Sequence, residues 1–118
     1  DIALDESLAG NDPQTVLDAH AADVLILKPM VVGGPGTAHT LAMRARERGI
    51  EPVVTTTVDA VVARTAAVHV AATIPEVRAC GLATAERLTE DLAPDPCTVA
   101  DGTITVPQSP GLGLEVKS

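Results

Sequence analysis

The 118-residue sequence has no phenylalanine, tyrosine or tryptophan, and it has only eight basic residues against sixteen acidic ones. Without aromatic rings, the chain offers nothing on which nucleic-acid bases could stack. The resulting net charge of −8 repels both phosphate backbones and anionic lipid headgroups. We therefore expect neither a nucleic acid nor a membrane surface as a partner. A core must be built from the alanine, valine, leucine and isoleucine that make up most of the apolar residues.

Long apolar stretches and paired cysteines are scarce as well. The longest aliphatic runs, such as residues 24–27, fall far short of the roughly 20 residues that span a bilayer. The first residues also lack the pattern of a secretory signal peptide. Cys80 and Cys97 are the only cysteines, and their spacing fits no metal motif. The sequence predicts a cytoplasmic protein whose cysteines form neither a disulfide nor a zinc site.

Short aliphatic runs predict the buried strands of a parallel sheet. Three of them cover residues 2–4, 24–27 and 52–54, and a weaker fourth covers residues 77–80. Continuous β-branched and aliphatic runs without polar alternation are typical of strands that are covered on both faces. The segments that follow these runs predict helices, over residues 13–20, 37–48, 59–73 and 85–92.

A different pattern follows the last of these helices. Residues 98–100 and 103–106 flank Asp101-Gly102, a dipeptide that strongly favours a two-residue β-hairpin. A strand followed by a helix, four times over, is the pattern of an α/β protein with parallel strands. Four such βα units are half of an eight-stranded TIM-type (β/α) barrel. We therefore predict an α/β fold of about four βα units followed by a β-hairpin tail.

Residues just after each strand are the candidates for chemistry, because parallel α/β proteins bind ligands at the carboxyl ends of their strands. Asp5 follows the first run, where a carboxylate suits a hard cation such as Mg²⁺. The alternative is that Asp5 or Glu6 caps a turn or faces solvent. Lys28 closes the second run, where desolvation either lowers the lysine pKa or makes its charge a strong electrostatic tool. The alternative for Lys28 is a side chain that extends into solvent.

The later strand ends carry weaker signals. The triplet Thr55-Thr56-Thr57 could hydrogen-bond a carboxylate, although β-branched residues are ordinary at strand ends. The segment Gly81-Leu82-Ala83-Thr84 follows the fourth run. The three histidines fall within predicted helices and are better explained as solvent-facing or core residues: His20, His39 and His69.

Taken in order, these strand ends resemble the second half of the barrel in the enolase superfamily, muconate-lactonizing-enzyme subgroup, and most closely its o-succinylbenzoate synthase family. The resemblance covers nearly the whole chain, in the family's order and spacing. One such segment alone would be a weak signal, whereas five in series are fairly specific. The segments are Ile2-Ala3-Leu4-Asp5-Glu6-Ser7-Leu8, Val24-Leu25-Ile26-Leu27-Lys28-Pro29, Val53-Val54-Thr55-Thr56-Thr57-Val58-Asp59, Gly81-Leu82-Ala83-Thr84 and Pro110-Gly111-Leu112-Gly113-Leu114-Glu115-Val116.

The resemblance implies a role for each strand end. The fifth barrel strand of the family ends in an aspartate that binds Mg²⁺, which corresponds to Asp5. The sixth ends in a catalytic lysine beside the substrate, which corresponds to Lys28. The polar run after the seventh strand and the Gly-Leu segment of the eighth lie against the substrate, which implies substrate-binding roles for Thr55, Thr56, Thr57, Gly81 and Leu82.

The implied reaction is the Mg²⁺-dependent dehydration of a succinyl-hydroxycyclohexadiene carboxylate to o-succinylbenzoate, a step of menaquinone biosynthesis. The small carboxylate substrate loses its α-proton, and metal and lysine charge stabilise the resulting enediolate. The threonine triplet replaces a serine-rich version that we associate with the synthases, so other activities stay open. They are an N-acylamino acid racemase, a dipeptide epimerase, a muconate cycloisomerase, or a non-catalytic α/β binding module. The absence of Asp-x-Asp after the eighth strand argues against the dipeptide epimerase.

The rest of the family's machinery has no counterpart in these residues: the first two metal ligands, the Lys-x-Lys base and the N-terminal capping domain. We therefore expect the C-terminal half of a longer enzyme, inactive by itself. Residues 1–96 would form half of the catalytic barrel, and residues 97–118 a tail that packs against the capping domain. Because half a barrel leaves open strand edges and an unclosed apolar interior, we expect self-association or pairing with the missing half.

Overall fold

A computed structural model describes residues 1–115 of the chain. Its centre is a three-stranded parallel sheet of β1 (Ala3–Leu4), β2 (Val24–Leu27) and β3 (Glu51–Val54), in that spatial order. A separate antiparallel pair is formed by β4 (Val99–Ala100) and β5 (Thr103–Ile104). The helices of the described residues are α1 (Pro13–Asp18), α2 (Pro29–Val32), α3 (Pro35–Glu47) and α4 (Val61–Ala72).

The register of the sheet gives it two different faces. Side chains alternate along a strand, so Leu25 and Leu27 of β2 point to one face and Ile26 to the other. The first face is packed against α3 and α4, and both leucines are fully buried there. Ile26 and its partner Val53 on the opposite face are only half-buried. The sheet therefore has one face closed by helices and one face that is partly open.

Small side chains bring the helices close to the sheet. On α3, buried residues recur at the spacing of three and four that forms one helical stripe. They are mostly alanines, which suits a core without aromatic rings. Gly49, at φ +72, follows the end of this helix, where the left-handed conformation favours glycine. The members of the stripe are Ala38, Leu41, Ala42 and Ala45.

Two of the predicted elements are wrong in extent. Residues 77–80 form no strand, and this segment meets the sheet at a single parallel bridge between Thr55 and Gly81. The predicted helix over residues 85–92 is reduced to the 3₁₀ turn Ala85–Arg87. The physical reason is that Asp91 accepts hydrogen bonds from the backbone N–H groups of Val61 and Leu92, and such side-chain bonds compete with the helical ones.

The segment between β2 and β3 also differs from the sequence pattern. The sequence pattern does not predict the short helix α2, and α3 begins at Pro35, two residues before the predicted start at residue 37. Pro29 and Pro35 each occupy the first position of a helix, where a missing N–H costs nothing. Gly33, at φ +105, makes the sharp turn between the two helices.

The predicted hairpin is confirmed. Its two central residues, Asp101 and Gly102, have φ values of +51 and +75, as a tight turn between right-twisted strands requires. The end of the expected family segment at Val116 lies outside the described residues. Across residues 1–115, none of the helices combines the length and apolarity that crossing a membrane would require.

Candidate active site

Polar groups from neighbouring strands meet at the carboxyl edge of the open sheet face. Asp5 follows β1, Lys28 follows β2 and Thr55 follows β3. The three residues lie an even number of positions after Ala3, Val24 and Glu51, which are aligned across the sheet. Because side chains alternate along a strand, all three point to the face opposite to the helices. The sequence therefore delivers one candidate side chain from each strand to the same edge.

Lys28 and Asp5 are in direct contact. The lysine Nζ donates a hydrogen bond to Asp5 Oδ2 at 2.8 Å, and it lies 3.5 Å from Glu6 Oε1. The Lys28 side chain is 19% exposed and that of Asp5 is 39% exposed. The hydrogen bond to Asp5 raises the pKa of Lys28 and outweighs the desolvation that would lower it. The sequence left two possibilities open, a lowered lysine pKa or a strong fixed charge. The raised pKa supports the fixed charge, a protonated ammonium.

Local backbone structure fixes the position of Lys28. It is the last residue before α2, and its carbonyl oxygen accepts hydrogen bonds from the N–H groups of Val31 and Val32, at 2.8 and 3.1 Å. Pro29 then restricts the backbone at the first helical position. The lysine thus lies at a rigid corner between a strand and a helix.

Thr55 and Gly81 form the next part of the edge. The Gly81 N–H donates to the carbonyl of Val54 at 3.0 Å, which continues the sheet by one bridge. A Cβ atom at position 81 would lie 3.2 Å from the Cβ of Thr55, which is tighter than ordinary packing. Glycine at this position therefore allows the two backbones to approach closely beside the threonine side chain.

The other predicted substrate-binding residues do not join this group. Thr56 is buried on the helix-covered face, where its hydroxyl lies 2.8 Å from that of Thr84. Thr57 is exposed, and it hydrogen-bonds Asp59 in the turn before α4. Leu82 belongs to the hydrophobic core. Their substrate-binding roles stay predictions, and the threonine triplet is divided because neighbouring residues of a strand point to opposite faces.

Glu6 also belongs to the site, although the sequence pattern predicts it only as a cap or a solvent-facing residue. Its side chain is largely exposed, yet its carboxylate contributes to the raised pKa of Lys28. The available signal was an acidic pair after one strand followed by a lysine after the next strand. Parallel strand ends meet at one edge, so both carboxylates come within reach of the lysine.

The donors at this edge fit a hard cation in part. Asp5 presents two carboxylate oxygens, of which Lys28 uses Oδ2, and oxygen is the ligand that Mg²⁺ requires. Mg²⁺ takes about six ligands in an octahedral arrangement, several of them usually water. Within residues 1–115, no three His, Cys, Asp or Glu side chains form a metal-binding cluster. Asp5 is therefore suited to be one protein ligand of a set that needs others.

Comparison with known proteins identifies the family of this chain. A model of the enolase C-terminal domain-like family matches residues 1–118. The chain belongs to this family. An o-succinylbenzoate synthase of Thermobifida fusca (strain YX) is 42% identical over 107 residues, which are 89% of this chain and 33% of that protein. The enolase-family chain thus spans about a third of the length of the curated relatives it matches.

Solved structures of the superfamily share the fold of this enolase-family chain. The muconate lactonizing enzyme from Pseudomonas putida superposes with a TM-score of 0.88 at 27% identity, over 97% of this chain and 32% of its own. A dipeptide epimerase from Methylococcus capsulatus complexed with Mg ion gives 0.85 at 29% identity, over 98% of this chain and 34% of its own. These similarities confirm the predicted resemblance and the α/β barrel-type fold class.

Proposed function

We propose that this chain supplies one side of the active site of an o-succinylbenzoate synthase-like lyase. The observation that carries the proposal is the partly buried Lys28 ammonium, 2.8 Å from the Asp5 carboxylate at the ends of adjacent parallel strands. The 42% identity to the Thermobifida fusca synthase supports this reaction among those of the superfamily. The substrate would be a succinyl-hydroxycyclohexadiene carboxylate and the product o-succinylbenzoate.

Asp5 would hold Mg²⁺ together with ligands from another part of the enzyme. When bound, Mg²⁺ supplies positive charge that polarises the carboxylate of the acid and makes its α-proton easier to remove. Glu6 Oε1 lies 3.5 Å from Lys28 Nζ, so Glu6 would pair with the ammonium when Asp5 binds Mg²⁺. The ammonium would therefore keep a negative partner in either state.

Lys28 would stabilise the negative charge that develops on the substrate. The acid gives up its α-proton to a base and then its ring hydroxyl group, so that one water molecule leaves and the ring becomes aromatic. A fixed ammonium is worth more in a partly desolvated site than in water, because its interactions are less screened there. Thr55 and the backbone of Gly81 border the same edge and would contact the bound acid.

The position of Lys28 favours dehydration over racemisation. A racemase of N-acylamino acids needs a lysine that accepts a proton, and therefore a neutral amine in one half-reaction. The carboxylates of Asp5 and Glu6 both raise the lysine pKa, and Glu6 would remain beside the ammonium with Asp5 on Mg²⁺. A cation that stabilises charge without exchanging a proton suits the synthase reaction better.

The open face supports a second part of the proposal, that the chain pairs with another half of a barrel. Ile26 and Val53 are half-buried on that face, and among residues 1–115 β1 is paired with β2 alone. Exposed strand edges and apolar faces favour association. Residues 1–96 would form the barrel half, with residues 97–118 as the tail towards a capping domain. A second copy of the chain is the alternative partner.

The function can be tested with a chimera that joins the unmatched part of the Thermobifida fusca synthase to this chain. We expect the chimera to dehydrate the substrate in a Mg²⁺-dependent reaction, followed by mass spectrometry of the aromatic product. We expect the 118-residue chain alone to be inactive, because it provides one carboxylate ligand from residues 1–115 and no base beside it. A folded chimera that racemises an N-acylamino acid but forms no o-succinylbenzoate would contradict the lyase assignment.

The same chimera tests the role of Asp5. Asp5→Asn keeps the size of the side chain but removes the charge that attracts Mg²⁺. We expect the Mg²⁺ concentration for half-maximal activity to rise by at least about tenfold, since even outer-shell partners of metal sites have effects of this size. The matched control is Asp12→Asn, which changes the N-cap of α1 away from the site. An unchanged Mg²⁺ requirement in Asp5→Asn would exclude Asp5 as a ligand.

A further inference from the structure

Arg64 in the first turn of α4 is the one charged residue that is fully buried among residues 1–115, at 1% exposure. Its guanidinium donates to Asp91 Oδ2 at 3.0 Å, and to Asp95 Oδ2 through two nitrogens at 3.1 and 3.2 Å. Its Nη1 also donates to the main-chain oxygen of Asp59 at 2.8 Å. The guanidinium spreads five donors over three nitrogens in a fixed plane, so that separate nitrogens bind different acceptors, whereas a lysine has a single nitrogen.

These bonds join the two segments that border the candidate site. Asp59 ends the loop that starts at Thr55, and Asp91 and Asp95 lie in the segment that starts at Gly81. The same two segments also meet at their beginnings, through the Gly81–Val54 backbone bond and the contact between the Thr56 and Thr84 hydroxyls. Each segment is therefore attached to the other at both ends.

Asp91 has a second role that couples this cluster to α4. Its Oδ1 accepts a hydrogen bond from the Val61 N–H at 2.7 Å, at the start of a helix whose own N-cap residue, Ala60, has no side chain that can do so. This bond, followed by those to Leu92 and Arg64, lowers the pKa of Asp91. The carboxylate thus stays ionised beside Arg64 at neutral pH, and the helix start is tied to residues 30 positions later.

We propose that Arg64 is a positioning residue, whose bonds to Asp59, Asp91 and Asp95 hold the loop after β3 and the segment after Gly81 in fixed relation. Gly81 thereby keeps its place beside Thr55, which the sheet itself holds next to Lys28. Arg64 acts through these segments from the helix-covered side and is not a catalytic residue. The importance of Arg64 for catalysis rests on the proposed function. The effect of Arg64 on the two segments can be measured whether or not that function is correct.

Hydrogen exchange of backbone amides in the 118-residue chain tests this proposal directly. In Arg64→Met we expect exchange to accelerate by more than about tenfold at Val61, and also at Gly81 and Thr84 near the site. The Thr55 amide, which donates to the carbonyl of Leu27 within the sheet, should stay protected. Arg48→Met is the matched control, because it removes an arginine that pairs with Asp18 on α1 instead.

Acceleration confined to Val61, with Gly81 and Thr84 unchanged, would overturn the proposal and leave Arg64 as a cap of α4. If Arg64→Met does not fold, Asp95→Asn replaces it, since that variant keeps the bonds of Arg64 to Asp91 and Asp59. The same amides then report the result, with the same expected direction.

The active chimera adds a readout that a purely structural role would not change. In Asp95→Asn we expect kcat/KM per folded molecule to fall by about tenfold, mainly through a higher KM, because the backbone at Gly81 is misplaced. An unchanged kcat/KM, corrected for the folded fraction, would contradict positioning while leaving the lyase assignment intact. A wild-type chimera without activity would contradict the assignment, and amide exchange would still decide the role of Arg64.

Discussion

Lys28→Met is expected to lower kcat of the complete enzyme by about 10²–10³-fold, the effect of removing one group that stabilises developing negative charge. Methionine keeps much of the side-chain length but carries no charge. The substitution also leaves Asp5 without the cation that now binds its Oδ2. We therefore expect Mg²⁺ binding to be maintained or strengthened while turnover is lost. Steady-state kinetics of the chimera across a Mg²⁺ titration would separate these two effects.

The matched control is Arg44→Met, which removes an exposed positive charge from α3, on the helical side of the sheet. It should change neither kcat nor the Mg²⁺ requirement. A Lys28→Met enzyme with kcat close to that of the wild type would remove Lys28 from the mechanism. A parallel loss in Arg44→Met would show that net charge, and not the position of the ammonium, determines the rate.

Leu27→Ala is expected to destabilise the chain by about 2–5 kcal/mol, because it opens a cavity in a closely packed core. Leu27 is 0% exposed and lies on the helix-covered face of β2. Urea unfolding followed by circular dichroism measures the loss, since the chain has no tryptophan or tyrosine to report by fluorescence. Leu92→Ala is the control, because this leucine is 62% exposed, and we expect a change of at most about 0.5 kcal/mol.

If the two leucine variants unfold at the same urea concentration, the helix-covered face is not the core of the folded chain. If Leu27→Ala alone is destabilised, its spectrum at low urea should still match that of the wild type. That result would show that a strand residue directly before Lys28 contributes to stability without belonging to the site.

The sequence predicted the parts of the fold that depend on strong local signals. Asp101-Gly102 specified its hairpin because both positions need positive φ, and the run 24–27 specified β2 because a continuous aliphatic run has few alternatives. Asp5 and Lys28 were identified as candidates because parallel strands end at one edge. Their direct contact confirms that the two strands are neighbours in the sheet.

Other features depend on contacts that a local pattern cannot contain. The cap of α4 comes from Asp91, 30 residues after the amide that it accepts from, so the pattern placed the start of this helix at Asp59 instead. In the sequence, Arg64 is an ordinary charged residue of an Ala/Val-rich helix, because its acidic partners lie far along the chain and contact it only in the folded protein. Residues 77–80 include aliphatic side chains, but this segment meets the sheet at a single bridge, that of Gly81 with Thr55. It is not a strand, because backbone pairing defines one.

The two faces of the sheet separate the residues that maintain the fold from those that face the site. Leu27 and Lys28 are neighbours in sequence, yet one is enclosed by helices and the other lies at the open edge. A substitution of the residue directly after a strand can therefore change the chemistry at the open edge without changing how the core packs. Such independence lets a single scaffold acquire new substrates through successive point mutations, each of which leaves an intermediate that still folds.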